Sequence, residues 1–268
     1  MRCILLRSLL PVFLVLLGTG CTTLPNGHRW GEDVSFGSWE RIKTATLKAA
    51  TDPETWVPVA GALLLSIGDL DEDLSDWAIR ETPVFGSIDS AEDASDDLKT
   101  LLLATTVIST VATPSGSEPG EWLAAKFKGA LVGAAAVGAS GSVTNYLKDA
   151  TDRERPLKKT SDNSFPSLHA TEAYSYATLT SRNVDTLALS PMTRKVLRIS
   201  AKTLAAGTAW ARVEAGKHYP TDVLAGAAIG HFLTAVIHDS FMGLDEAVQV
   251  DVQLDRREGG MLSLSWPL

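Results

Sequence analysis

The sequence predicts an all-α helical bundle carrying a small β-hairpin at its C-terminal end. Three observations predict it. Apolar residues recur at roughly helical spacing from Gly37 to about Ile237. Proline stands where helix starts are expected, as at Pro53, Pro166 and Pro220. Only the tail, VQVDVQL and MLSLSW around the turn DRREGG, alternates apolar and polar residues strictly. With 268 residues, 45% of them hydrophobic and 21% charged, the chain suits one large domain or two small ones.

The elements follow in order. Met1, Arg2 and Arg7 precede an apolar run from Leu9 to Leu17 and the small residues before Cys21, so residues 1–21 read as a signal peptide with a lipoprotein-like cleavage site. Cys21 is the candidate lipidation site. The usual pattern has Leu three residues before the Cys; here Gly18 stands there and Leu17 one place further back. The other cysteine, Cys3, leaves with the signal, so the mature chain is expected to hold no internal disulfide and to depend on its core. Residues 22–35 are polar with two glycines and read as a tether. A helical domain is expected over 36–245 and the hairpin over 246–268. Within the domain, helices are expected after Gly37, over 57–67, 69–80, 92–113 and 119–148, then over 167–183, 191–211 and 220–237.

Two function classes fall away on charge. The formal net charge is -8, and a general nucleic-acid binder needs clustered Lys and Arg for counterion release. The same balance disfavours broad adhesion to anionic lipid. The apolar runs, about 11 to 15 residues between charges, fall short of the roughly 20 that a spanning helix needs, so they read as core helices of a soluble domain. The acidic run Asp69, Asp71, Glu72 and Asp73 has the wrong spacing for a calcium loop and reads as a solvated helix face. His231 and His238 lie on the last helix without a matching carboxylate cluster and read as packing residues.

Against this acidic background, KDATDRERP (148–156) concentrates basic residues in one short segment. Alone it reads as a solvated connection. SFPSLHAT (164–171) reads as a helix start with a His in its first turn, and such a start presents free N–H groups and a positive dipole end to an anion. ARVEAGKHYPTD (211–222) places Arg212, His218 and Asp222 with five and then three residues between them. Asp222 falls in the first turn of a helix, within reach of His218, and a carboxylate there would fix the imidazole tautomer.

Taken together, Lys-x6-Arg-Pro, Pro-Ser-x-His and Arg-x5-His-x3-Asp resemble the three-part signature of the type 2 phosphatidic acid phosphatase family, which the vanadium-dependent haloperoxidases share. The resemblance covers about residues 145–225. It departs at Leu168, where the family usually has Gly, and at Ala211, where it usually has Ser. Leu168 still supplies a backbone N–H, but its side chain must find room.

The resemblance implies the helical bundle of that family and assigns roles. His218 would attack phosphorus and form a phosphohistidine, oriented by Asp222. His169 would protonate the leaving oxygen and then activate water. Lys148, Arg155 and Arg212, with Ser167 and the Leu168 N–H, would bind the phosphoryl oxygens, doing the electrostatic work of a metal. No cofactor and no metal are implied. The expected function is a metal-independent phosphatase acting on a lipid phosphate or pyrophosphate, or on a small phosphomonoester. Its partners would be that substrate and a membrane surface reached through the lipid anchor, without nucleic acid. The expected location is the periplasmic side of a bacterial membrane, the outer membrane favoured. A vanadium haloperoxidase, with vanadate as cofactor, is a second reading that the motif does not separate. A non-enzymatic envelope lipoprotein is a third, which the intact set of site residues opposes.

Overall fold

Short polar caps set the helix boundaries. In a computed structural model that describes residues 23–24, 27–157, 163–244, 250–253 and 261–264, the side chains of Ser38, Asp52, Ser87, Ser167 and Ser190 each accept a hydrogen bond from a first-turn N–H. Proline occupies the first turn of four helices. The helices are α1 (Trp39–Thr51), α2 (Pro53–Leu65), α3 (Leu70–Glu81), α4 (Ile88–Ala112), α5 (Pro119–Thr151), α6 (Leu168–Asp185), α7 (Pro191–Glu214) and α8 (Pro220–Met242). A two-stranded antiparallel hairpin, β1 (Val250–Gln253) with β2 (Met261–Leu264), follows them. Two helices start earlier than hydrophobic spacing suggests, because Asp52 and Ser87 cap them ahead of the first apolar residue. α8 runs on to Met242 and stops where Gly243 turns left-handed at φ 68. The signal peptide and Cys21 lie outside the described residues.

α6 and α8 form the centre, and the other helices pack around them. The two backbones touch because α8 carries Gly226 and Gly230 one turn apart. A Cβ at Gly230 would stand 2.3 Å from the Thr171 carbonyl oxygen, and one at Gly226 would stand 2.5 Å from that of Ser167. The close crossing brings the start of α6 against the start of α8, where the second and third motifs lie. The core there is built from small side chains, Ala170, Ala173, Ala227 and Ala235 among them, laced by hydroxyl bonds such as Thr144 to Thr171 at 3.0 Å.

Two expectations are corrected here. The segment expected as a tether is docked on the body from Trp30 onward. Trp30 is 2% exposed and packs with Val132 and Met242, while its ring faces Gly129, where a Cβ would stand 2.3 Å away. The polar residues around it hid a single anchoring aromatic.

The apolar runs are also only partly core. α8 is mostly buried, but no residue of α2 is buried. Leu63 is 65% exposed and Phe127 68%. By length and composition α5 and α8 could each cross a membrane. Counting charge-free runs missed this because Lys126, one of the interrupting charges, folds inward. It donates to the carbonyls of Thr110 and Thr113 and to the Thr113 hydroxyl, closing the end of α4.

Candidate active site

Lys148 is in the last turn of α5, which ends where Asp152 adopts a left-handed conformation and its N–H bonds back to the Lys148 carbonyl. The chain then turns under the bundle. The Arg153 carbonyl accepts from the Ser164 N–H at 2.8 Å, and the Gly216 carbonyl from the Leu157 N–H at 3.1 Å. These two bonds tie the first motif to the second and third. Arg212 sits in the last turn of α7, His218 in the loop that follows, and Asp222 at the third position of α8.

The structure gathers the three basic residues that the sequence nominated. Burial, the nearby Arg155 and Arg212 pull the Lys148 ammonium down to about 8. Burial and Arg155 lower Arg212 in the same way. The Nε atoms of Arg155 and Arg212 are buried without a hydrogen-bond partner among the described residues. Arg212 spends one Nη on the Ser95 hydroxyl at 3.2 Å, and Lys148 donates to the Asn163 carbonyl at 2.8 Å. Cations so arranged repel one another and retain donor capacity, which suits a polyanionic oxygen cluster.

His218 is 2% exposed. Its Nδ1 lies 2.7 Å from the Ser164 carbonyl oxygen. A carbonyl only accepts, so Nδ1 carries the proton and Nε2 keeps its lone pair. The Asp222 carboxylate, expected to receive this bond, is 3.8 Å away. It instead accepts from the Ser164 hydroxyl at 2.5 Å, the Tyr219 N–H at 2.8 Å and Arg153 at 2.7 Å. Asp222 therefore acts on His218 through Ser164. Burial holds His218 down at about 4, and Arg212 and Lys148 add to that against the pull of Asp222.

His169 stands at the second position of α6, with Nε2 2.9 Å from Asp96. Burial, Arg212 and Lys99 lower its pKa, and Asp96 offsets part of the shift. Ser167 is fully buried; its hydroxyl caps α6 by accepting from Ala170 N–H at 3.4 Å, and its N–H donates to the Asp222 carbonyl. Leu168 is half-buried and leans on α5, 3.7 Å from where a Cβ at Gly141 would lie. The side chain that departs from the family pattern thus finds its room against a glycine.

Sequence reasoning missed three participants. Asp96 is hidden in an acidic stretch of α4 without periodic signal. Arg153 lies inside the first motif between the two residues that define it. Asp71 was expected on a solvated face, yet it is 6% exposed. It accepts from Arg153 at 2.8 Å and from the Thr221 N–H at 2.8 Å, so it caps α8 from a different helix. No local pattern records a cap supplied across 150 residues of chain.

Fold and site together define a helical bundle in which a buried histidine, His218, lies among basic side chains. Residues 129–244, which hold all three motifs, match the PAP2 superfamily. Among solved structures, the chain is similar to "the first transmembrane PAP2 type phosphatidylglycerolphosphate phosphatase from Bacillus subtilis". The TM-score is 0.52 and the identity 22%, over 74% of this chain and 94% of that one. At that identity the likeness establishes the shared fold. Comparison with curated proteins gives no match.

Proposed function

We propose that the protein is a phosphatase that removes phosphate from a lipid phosphate or pyrophosphate through a phosphohistidine on His218. One observation carries the reading. Lys148, Arg155 and Arg212 converge beside an imidazole whose Nδ1–H is committed to the Ser164 carbonyl, leaving Nε2 free to attack. In the first step a bond forms between Nε2 and phosphorus as the P–O bond to the leaving group breaks, and His169 gives that oxygen a proton. In the second, water gives a proton to His169 and attacks phosphorus, and the P–N bond breaks. The three cations and the first N–H groups of α6 stabilise charge on the phosphoryl oxygens in both steps.

The choice of a lipid over a small ester rests on the surface. α4 and α5 both pack on α6 but barely on each other. Between them lies a cleft of about 720 Å³, lined by Leu103, Val107, Leu123, Phe127, Val137 and Tyr176. That is room for an apolar chain. The exposed apolar side chains of α2, α4 and α5 suit a protein that lies against lipid. An acyl anchor at Cys21, exported to the periplasmic face, would hold the site there.

The test is phosphate release by the full chain in excess EDTA, wild type against His218→Ala. The substrates are phosphatidic acid, phosphatidylglycerol phosphate, an isoprenoid pyrophosphate and p-nitrophenyl phosphate. Release that the substitution abolishes, fastest on the lipids, is the expected result. Faster turnover of p-nitrophenyl phosphate would keep the phosphatase and remove the lipid. No release, with halide oxidation on adding vanadate and peroxide, would overturn the reading in favour of a haloperoxidase. For the anchor, intact mass of the mature protein should show acyl chains on Cys21; a mature form without them removes it.

A further inference from the structure

Behind His218 lies a chain of polar contacts that the phosphatase reading leaves without a purpose. Arg153 is at its centre. One Nη bonds both the Asp222 carboxylate at 2.7 Å and the Thr221 hydroxyl at 2.8 Å. The other bonds Asp71 at 2.8 Å, and the guanidinium lies 4.0 Å over the Tyr219 ring. The backbone carbonyl of the same residue takes the Ser164 N–H. Ser164 then sends its hydroxyl to Asp222 and its carbonyl to His218. Arg153 therefore holds Ser164 twice, once by its own carbonyl and once through Asp222.

We infer that Arg153, fixed by Asp71, is a positioning residue for His218: it keeps the Asp222 carboxylate off the imidazole and so leaves the Ser164 carbonyl to select the reactive tautomer. The inference rests on the reading of His218 as nucleophile. Physically, a carboxylate 3.8 Å from Nδ1 would draw a second proton onto the ring and quench its lone pair. Two opposing contacts stop it from doing so. Arg153 neutralises the carboxylate, and the Ser164 hydroxyl occupies its nearer oxygen, Oδ2. Titratable groups from several elements face this pair. Lys148 comes from α5, Arg212 from α7 and Asp71 from α3, while Arg153 and Tyr219 come from the flanking loops. Among the described residues, Arg153 is the one that forms ion pairs with both carboxylates. Asp71 lies outside the segment that matches the superfamily, so this half of the device belongs to the chain's own α3.

The test reads the imidazole directly. In full-length protein labelled with [15N]histidine, wild-type His218 should appear as the Nδ1–H tautomer, uncharged down to about pH 4. Arg153→Gln should raise its titration by about one to three pH units. On p-nitrophenyl phosphate the same variant should lose about tenfold to a hundredfold in kcat, with KM within about twofold. Arg153→Lys keeps the charge beside Asp222 and should restore the wild-type titration while leaving kcat reduced. Asp71→Asn should move both readouts in the direction of Arg153→Gln, by less. If Arg153→Gln fails to fold, the Lys and Asn variants carry the test. Variants that fold and lose activity with His218 titrating as in wild type would overturn the inference. Full activity in His218→Ala would instead sink the nucleophile reading, which the NMR titration does not depend on.

Discussion

His218 and His169 are both depressed below the ordinary histidine range, and the proposed steps give them different tasks, so the pH profile should separate them. The proposed mechanism needs His218 neutral and His169 protonated in the free protein. The profile of kcat/KM should therefore rise near pH 4, where His218 loses its proton, and fall below pH 6.5, where His169 loses its own. A bound phosphate dianion would offset Arg212 beside His169. The falling limb of kcat should then lie at higher pH than that of kcat/KM. Stopped-time phosphate release between pH 3.5 and 8 reads both; an optimum above pH 7 for kcat/KM would contradict these roles. Asp96→Asn removes the carboxylate that offsets the shift in His169, so its falling limb should move to lower pH. Arg212→Ala should cost about a hundredfold to a thousandfold in kcat/KM, the scale on which loss of one preorganised donor is felt.

At the scale of elements, the crossing of α6 and α8 is the joint on which the site depends. Gly230→Ala puts a methyl group 2.3 Å from the Thr171 carbonyl. It should destabilise by about 1–3 kcal/mol, and because α6 would shift at its first turns, activity should fall with it. Thermal unfolding beside Gly138→Ala, which meets nothing within 4 Å, supplies the control. Trp30→Ala should cost about 3–5 kcal/mol and free the docked N-terminal segment, which limited proteolysis would detect. Most of the helices were legible in the sequence because proline, hydroxyl and carboxylate caps act locally. Trp30 was not, since one aromatic in a polar stretch has no period. The exposure of α2 was not either: Trp56, Leu63 and Leu64 look like core residues, yet each is half or more exposed.

The molecule as a whole should be acid-labile. His218 titrates at about 4 when folded and near 6.5 when unfolded, so between those values the unfolded chain binds more protons and stability rises with pH. His169 and His231, also depressed, add the same sign. The contribution is complete above pH 6.5 and is lost as pH falls toward 4. Melting temperatures should drop across that window, and His218→Asn should flatten the slope. The apolar flank makes a second whole-molecule prediction. Replacing Phe127 and Leu131 with Glu should reduce co-sedimentation with phosphatidylethanolamine vesicles while leaving turnover of p-nitrophenyl phosphate unchanged; equal binding by both proteins would remove the lipid-facing role.

The sequence by itself determined the helical architecture and nominated the site residues, because helix caps act over a few residues and the three motifs hold their residues at fixed short spacings. Only the tertiary structure decided how those residues address one another. The proton on His218 is placed by Ser164, 54 residues away, the charge on Asp222 is met by Arg153 from another loop, and that arginine is held by Asp71 of α3. Which apolar faces are covered by the protein and which stay exposed is likewise a property of packing. Partners that join only when the chain closes on itself leave no spacing in the sequence to be read.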